Sequence, residues 1–348
     1  MSPIPLDPSN MLQKILDVPF HCQDARNRVL NTPPKLNAKK IRQVLISGLG
    51  GSAIGGDIFK TLVWKKASFS VTVNRHYELP AWVGKDTLVI CSSYSGGTEE
   101  TLSVFKQAQA RKVPILSLTS GGELLTRSQK AGLPYCVMPG GLPPRAALGY
   151  SLFTLLTALE TVGLISNNEI DFEETLEVMT GLARRYNDLV APAQNLAKRL
   201  AAFCHNRLPL IYAGQDHMDS VAYRWKCQFN ENSKQVALAG VLPEMNHNEV
   251  LGFSSPEPLS KKMAVIFLRQ PGEDHPQISR RFDILKGILK SKTAGVQEAF
   301  AEGKSPLAQM MSLIYLGDFV SLYLAYLKKV DPTPIQLIDS FKAQLAKK

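Results

Sequence analysis

The stretch VLISGLGGSAIGGD, residues 44–57, decides how this 348-residue chain folds. Four apolar or β-favouring residues run into glycines at 48, 50, 51, 55 and 56, with Ser52 among them, and an apolar helical pattern follows. That order spells a strand, a tight turn and a helix start. Such a turn leaves the first N–H groups of the helix directed at one spot, where the helix dipole adds partial positive charge. An anion, most often a phosphate, suits that spot.

Working outward, strand-like runs at 69–73, 87–92, 115–119 and 135–138 alternate with helix-like stretches at 98–111 and 123–130. This spacing predicts parallel βαβ units with a sheet covered on both faces. Upstream, residues 1–40 read as an arm with short helices at 11–16 and 25–30 and a loop at 31–39. Downstream, the period turns helical at 152–162, 169–186 and 192–203. Strand signals return at 208–214, 235–238 and 262–268, with helices at 220–230, 276–291, 306–328 and 334–346. The second half reads as another α/β unit, a divergent copy of the first. The expected plan is an N-terminal helical arm (1–40), a first α/β domain (41–155), a helical connector (156–205) and a second α/β domain with C-terminal helices (206–348).

Composition bounds the function. Hydrophobic residues make up 45% and charged residues 20%, as in a globular protein, and the length favours two domains. No apolar run is read as long enough to span a bilayer, and the stretch MSPIPLDPSNMLQKILD has no signal-peptide core, so a cytoplasmic protein without a membrane role is expected. Five cysteines at irregular spacing, with no CxxC pair, support neither a disulfide framework nor a zinc site. The net charge of +10 is dispersed and no nucleic-acid motif accompanies it, so no nucleic-acid partner is expected.

The glycine turn also fits GxGxxG/A through Gly48, Gly50 and Ala53. A dinucleotide site wants an acid at the end of the second strand, and this strand ends in Val73-Asn74-Arg75, which leaves only an NADP variant open. A better anion cradle is CSSYSGGTEET, residues 91–101, where Ser93, Ser95 and Thr98 surround two glycines at the start of a helix. An isolated serine loop is usually just a helix cap. Two such turns at neighbouring strand ends shift the balance, because open α/β sheets bind ligands at that edge. In GGLPPRAALGYS, residues 140–151, two prolines lead into Arg145, either a surface arginine or a rigidly presented cation for an oxyanion. Glu231 in NENSK follows a helix, and His247 lies in PEMNHNEVLGF. A carboxylate and an imidazole are the usual tools for moving a proton between carbons and opening a sugar ring. Singly, each reads as a surface residue, and no metal-ligand pattern surrounds either.

Taken together, GLGGSAIGGD, SSYSGGTEET, PPRAALGYS, NENSK and PEMNHNEVLGF resemble the bifunctional phosphoglucose/phosphomannose isomerases, which carry two sugar isomerase domains. The resemblance runs from about residue 41 to the end of the chain. It implies two flavodoxin-like parallel-sheet subdomains, a homodimer with a shared active site, and a sugar phosphate as substrate. It further implies that Gly51 and Ser52 lie beside the sugar, that Ser93, Ser95 and Thr98 hold its phosphate, and that Arg145 stabilises an enediolate. Glu231 would be the base, His247 would assist ring opening from its own or the partner subunit, and Lys342 in IDSFKAQL would lie near the ring oxygen. Neither metal nor cofactor is implied. Where the family commonly has asparagine in the serine loop, this chain has Gly97. The expected activity is interconversion of glucose 6-phosphate, and mannose 6-phosphate, with fructose 6-phosphate. The competing readings are a non-catalytic sugar-phosphate sensor and an NADP-dependent oxidoreductase.

Overall fold

A computed structural model describes residues 6–215, 217–254 and 258–345. The chain divides into two compact units, one of residues 17–177 and 305–308, the other of the remaining residues. Helix α1 (Met11–Leu16) belongs to the second of these, and α2 (Val18–Asn31) to the first. α2 starts well before the predicted residue 25, since its proline lies in the first turn, where a missing N–H costs nothing.

In the unit of residues 17–177 the chain alternates β1 (Gln43–Ser47), α3 (Gly50–Val63), β2 (Ser70–Asn74), β3 (Thr87–Ser92), α4 (Glu99–Ala110), β4 (Ile115–Thr119), α5 (Gly122–Lys130) and β5 (Tyr135–Val137). The strands lie in the order β2-β1-β3-β4-β5, every neighbouring pair parallel. This is the flavodoxin-like order, whose topological switch point falls between β1 and β3. β3 and β4 are buried along their whole length, because crossover helices cover both faces. Leu45, Val89, Phe105 and Leu124 pack in one core cluster. Helix α6 (Leu148–Thr161) lies against α2 and is buried at every residue from Leu148 to Leu159, so it begins four residues before the predicted 152.

Helix α7 (Glu169–Tyr186) has the predicted bounds. Helix α8 (Leu196–Cys204) begins later than the predicted residue 192, because the Asn195 side chain accepts the Lys198 N–H at 3.1 Å and caps the helix there. The second unit continues with β6 (Leu208–Gly214), α9 (Asp219–Glu231), β7 (Leu238–Leu242), β8 (Met263–Arg269), α10 (Pro276–Lys290), β9 (Val296–Phe300), α11 (Pro306–Leu327) and α12 (Gln336–Leu345). Its sheet runs β7-β6-β8-β9, all parallel, and so repeats the first four strand positions of the other sheet.

Three expectations are corrected. β7 lies at 238–242 rather than 235–238: Lys234 turns back at φ +49° and the Gln235 amide holds the Arg207 carbonyl, so pairing with β6 begins only at Leu238. β9, VQEAF, is a strand that no apolar run marks in the sequence, because it is a half-exposed edge strand. The 22-residue α11 contains an 18-residue stretch long and apolar enough to cross a membrane, with mean hydropathy 1.5, contrary to the expectation of no such run; 89% of that stretch is buried inside the protein. The predicted helix end at residue 346 lies outside the described residues.

Candidate active site

The glycine turn forms as a close approach of backbones. A side chain on Gly48 would begin 2.8 Å from the Ser92 carbonyl, and one on Gly51 would begin 2.8 Å from the Pro144 carbonyl. Gly50 takes φ +52°, which a side chain resists. These glycines let the end of β3 and the Pro-Pro-Arg turn come against the first turn of α3. Ser52 is buried there, and its Oγ accepts the Tyr94 N–H at 3.3 Å.

The loop after β3 divides its hydroxyls between two jobs. Ser93 is buried; its Oγ accepts the N–H of Gly96 at 3.1 Å and of Thr98 at 3.4 Å, and shares a hydrogen bond with Thr98 Oγ1 at 2.8 Å. It therefore clamps the loop from inside. Ser95 is exposed and Gly97 faces open space, with no atom within 4 Å of where its Cβ would stand. Thr98 caps α4 without a side-chain hydrogen bond to the helix, and Glu99 and Glu100 occupy its first turn. The open side of the loop offers Ser95, the Gly97 backbone and the start of α4.

Arg145 sits in a 3-10 turn, Pro144–Ala146, directly before α6. Only 2% of it is exposed, which overturns the surface-arginine reading. The turn is closed by Ala146 N–H to the Pro143 carbonyl at 2.8 Å and Ala147 N–H to the Pro144 carbonyl at 3.2 Å. Gly51, Ser52, the serine loop and the Arg145 turn are thus gathered within one unit. Arg75, the residue that left NADP open, is ion-paired with Asp57 in the same unit, so a 2′-phosphate would have to displace a carboxylate.

In the other unit Glu231 is the last residue of α9, not a residue beyond it, and is half-buried. The helix is fastened to α11 by buried polar groups. Arg224 donates to both Asp318 oxygens at 3.1 and 3.3 Å, and the Gln228 amide donates to Asp318 at 2.6 Å. Asn232 donates to Ser321 Oγ at 3.0 Å, and Ser233 to the Ser321 carbonyl at 2.6 Å. The Trp225 indole donates to the Leu313 carbonyl at 2.8 Å and occupies the space that a side chain on Gly317 would need. Burial pushes the Asp318 carboxyl up, an effect that Arg224 and Gln228 oppose. His247 ends a 3-10 turn, Glu244–His247, and is exposed, while nearby Glu249 accepts the Tyr212 hydroxyl at 2.8 Å. Lys342 lies on α12, which buries none of its residues. Among the described residues no three His, Cys, Asp or Glu side chains gather into a metal-ligand set.

Family models match the chain twice, as a SIS domain over residues 38–133 and as a bacterial phospho-glucose isomerase C-terminal SIS domain over 193–345. A bifunctional phosphoglucose/phosphomannose isomerase of Caldicellulosiruptor bescii is 44% identical over 336 residues, 97% of this chain and 99% of that protein. The chain belongs to the bifunctional phosphoglucose/phosphomannose isomerase family. A second member of the family, from Aquifex aeolicus, is 35% identical over 87% of this chain and 90% of its own length. Among solved structures, a hypothetical protein of Thermus thermophilus superposes with a TM-score of 0.72 over 98% of this chain and 91% of that one; at 14% identity it speaks for the fold alone. The SIS match takes in the glycine turn and the serine loop but stops before Arg145; the C-terminal match takes in Glu231, His247 and Lys342. Sequence reasoning passed over Tyr94, the aromatic residue inside the serine loop, and the Arg224–Asp318 pair. Tyr94 carried a signal, since a ring amid serines and glycines needs a place to be buried.

Proposed function

We propose that the protein is an aldose-ketose isomerase that interconverts glucose 6-phosphate, and mannose 6-phosphate, with fructose 6-phosphate through a cis-enediol. The observation that carries this reading is the buried Arg145, whose turn packs its backbone against Gly51 of the glycine turn, in the same unit as the serine loop. The names of its family relatives point to the same chemistry.

In this reading Ser95, Thr98 and the first N–H groups of α4 take the phosphate, while Ser93 holds their loop in shape. Gly51 and Ser52 form the wall against the sugar. His247 assists ring opening, acting from the partner subunit of a cytoplasmic homodimer, and Lys342 serves the ring oxygen. Glu231 removes the proton from C2 of the open aldose. The electron pair moves through the C1 carbonyl to its oxygen, where Arg145 balances the new charge. The proton on O2 passes to O1, and the Glu231 carboxylic acid returns its proton to C1, leaving a carbonyl at C2. No electrons are gained or lost overall, so the route calls for no redox partner.

A coupled assay for fructose 6-phosphate tests the reading. The wild-type protein turns over, and Glu231→Gln loses about 10²- to 10⁴-fold in kcat while still binding sugar phosphate. Wild-type binding without turnover would instead make the protein a sensor. Near-normal turnover by the variant would remove Glu231 as the base.

A further inference from the structure

Tyr94 stands between two serines of the phosphate loop, yet it faces inward and is buried. Its hydroxyl donates to the Pro139 carbonyl at 2.7 Å and accepts the Leu142 N–H at 3.3 Å. Its backbone N–H goes to Ser52 Oγ at 3.3 Å, and its carbonyl accepts both the N–H and the hydroxyl of Ser120, at 3.0 and 2.6 Å. One residue thereby ties together the first turn of α3 and the loops that follow β3, β4 and β5.

The two bonds made by the phenol bracket Gly140 and Gly141, the slack part of the segment leading to Arg145; Gly141 takes φ +92°. Past Leu142 the chain is stiffened by Pro143 and Pro144, and Arg145 follows at once. The flexible half of the segment is pinned by Tyr94 and the rigid half carries the guanidinium. Burial holds the phenol above its ordinary range, so it stays a donor at neutral pH.

We propose that Tyr94 is a positioning residue: its hydroxyl fixes the 139–142 segment to the serine loop and so sets where the Arg145 guanidinium stands relative to the bound phosphate. The proposal rests on the isomerase reading. It assigns Tyr94 a contribution to the enediolate stage and none to phosphate binding, because the groups that take phosphate keep their places when the phenol is lost. Displacing a charge by about 1 Å costs on the order of 100-fold in rate.

The test is Tyr94→Phe, which keeps the ring and every backbone bond. We expect kcat to fall about 10- to 100-fold while KM for fructose 6-phosphate and the Kd for inorganic phosphate stay within about twofold. Affinity for a sugar-phosphate hydroxamate, a planar mimic of the enediolate, should fall by the same factor as kcat. Unchanged kcat and hydroxamate affinity would overturn the proposal. So would a lower melting temperature with kcat, KM and phosphate affinity all moving together, the mark of a residue that only supports the fold. Should Tyr94→Phe not fold, Ser120→Ala, which loosens the Tyr94 carbonyl, must show the same selective loss at smaller size. A wild-type protein without turnover would count against the isomerase reading alone, since the ratio of hydroxamate to phosphate affinity in the two proteins still tests the clamp.

Discussion

The two sheets share the order of four strands and differ at the edge where ligands of such sheets bind. In the β2-β1-β3-β4-β5 sheet, the loops after β1 and β3 are built of glycine and serine, and a buried arginine stands beside them. In the β7-β6-β8-β9 sheet, β6 ends at Gly214, and Asp274 Oδ1 lies 3.2 Å from where a Gly214 side chain would begin. Asp274 Oδ2 accepts the Gln270 N–H at 2.9 Å, and the Gln270 amide donates to Gln309 at 2.6 Å. A carboxylate and interlocked amides occupy the place where the first sheet has an open cradle. A phosphate would meet like charge there. The same strand order thus carries glycine and serine loops in one copy and a carboxylate with paired amides in the other, so the two edges differ in loop chemistry and not in topology. The second unit differs: it holds a half-buried glutamate, Glu231, at the end of a helix anchored by a buried ion pair.

That contrast can be attacked at three points, taken from the largest expected effect down. Asp318→Ala leaves the Arg224 guanidinium buried without its carboxylate, and unfolding in denaturant should show a loss of about 3–5 kcal/mol; a loss below about 1 kcal/mol would mean that the pair does not anchor α9. Arg145→Ala, on the cradle side, should leave phosphate affinity near wild type while kcat drops about 10²- to 10³-fold. If instead phosphate affinity collapses and kcat at saturation holds, Arg145 serves the phosphate and not the enediolate. Gly97→Asn probes the open side of the serine loop, where a side chain meets nothing within 4 Å. An added amide donor should lower KM for sugar phosphate by about twofold to tenfold. An unchanged or higher KM would place the phosphate away from Gly97.

Much of this molecule was legible from local pattern. β3, β4, β6 and α7 have the bounds that their sequence periods predicted, and the glycine turn and serine loop fall at adjoining strand ends as expected. The glycines announced a tight strand-to-helix turn, and the structure adds that Gly48 and Gly51 admit the close approach of the Ser92 and Pro144 carbonyls. The misses also have physical causes. β9 is an edge strand in which only Ala299 is fully buried, so it lacks an apolar run. The first strand of the second sheet's outer pair, β7, starts late because a left-handed Lys234 turn comes before it.

By itself the sequence determined the alternation of strands and helices, the two parallel α/β subdomains, and the types of residue at the ligand edge, because each is written in contacts between near neighbours along the chain. Only tertiary structure decided that Arg145 is buried rather than exposed, that Tyr94 holds the segment leading to it, and that α11 is a core helix rather than a surface or membrane one. Those outcomes depend on partners far off in sequence: 45 residues separate Tyr94 from Pro139, and 94 separate Arg224 from Asp318. Periodicity reports which face of an element wants burial. What that face meets, and so which charge is held still and which is left to water, is settled only when distant segments pack.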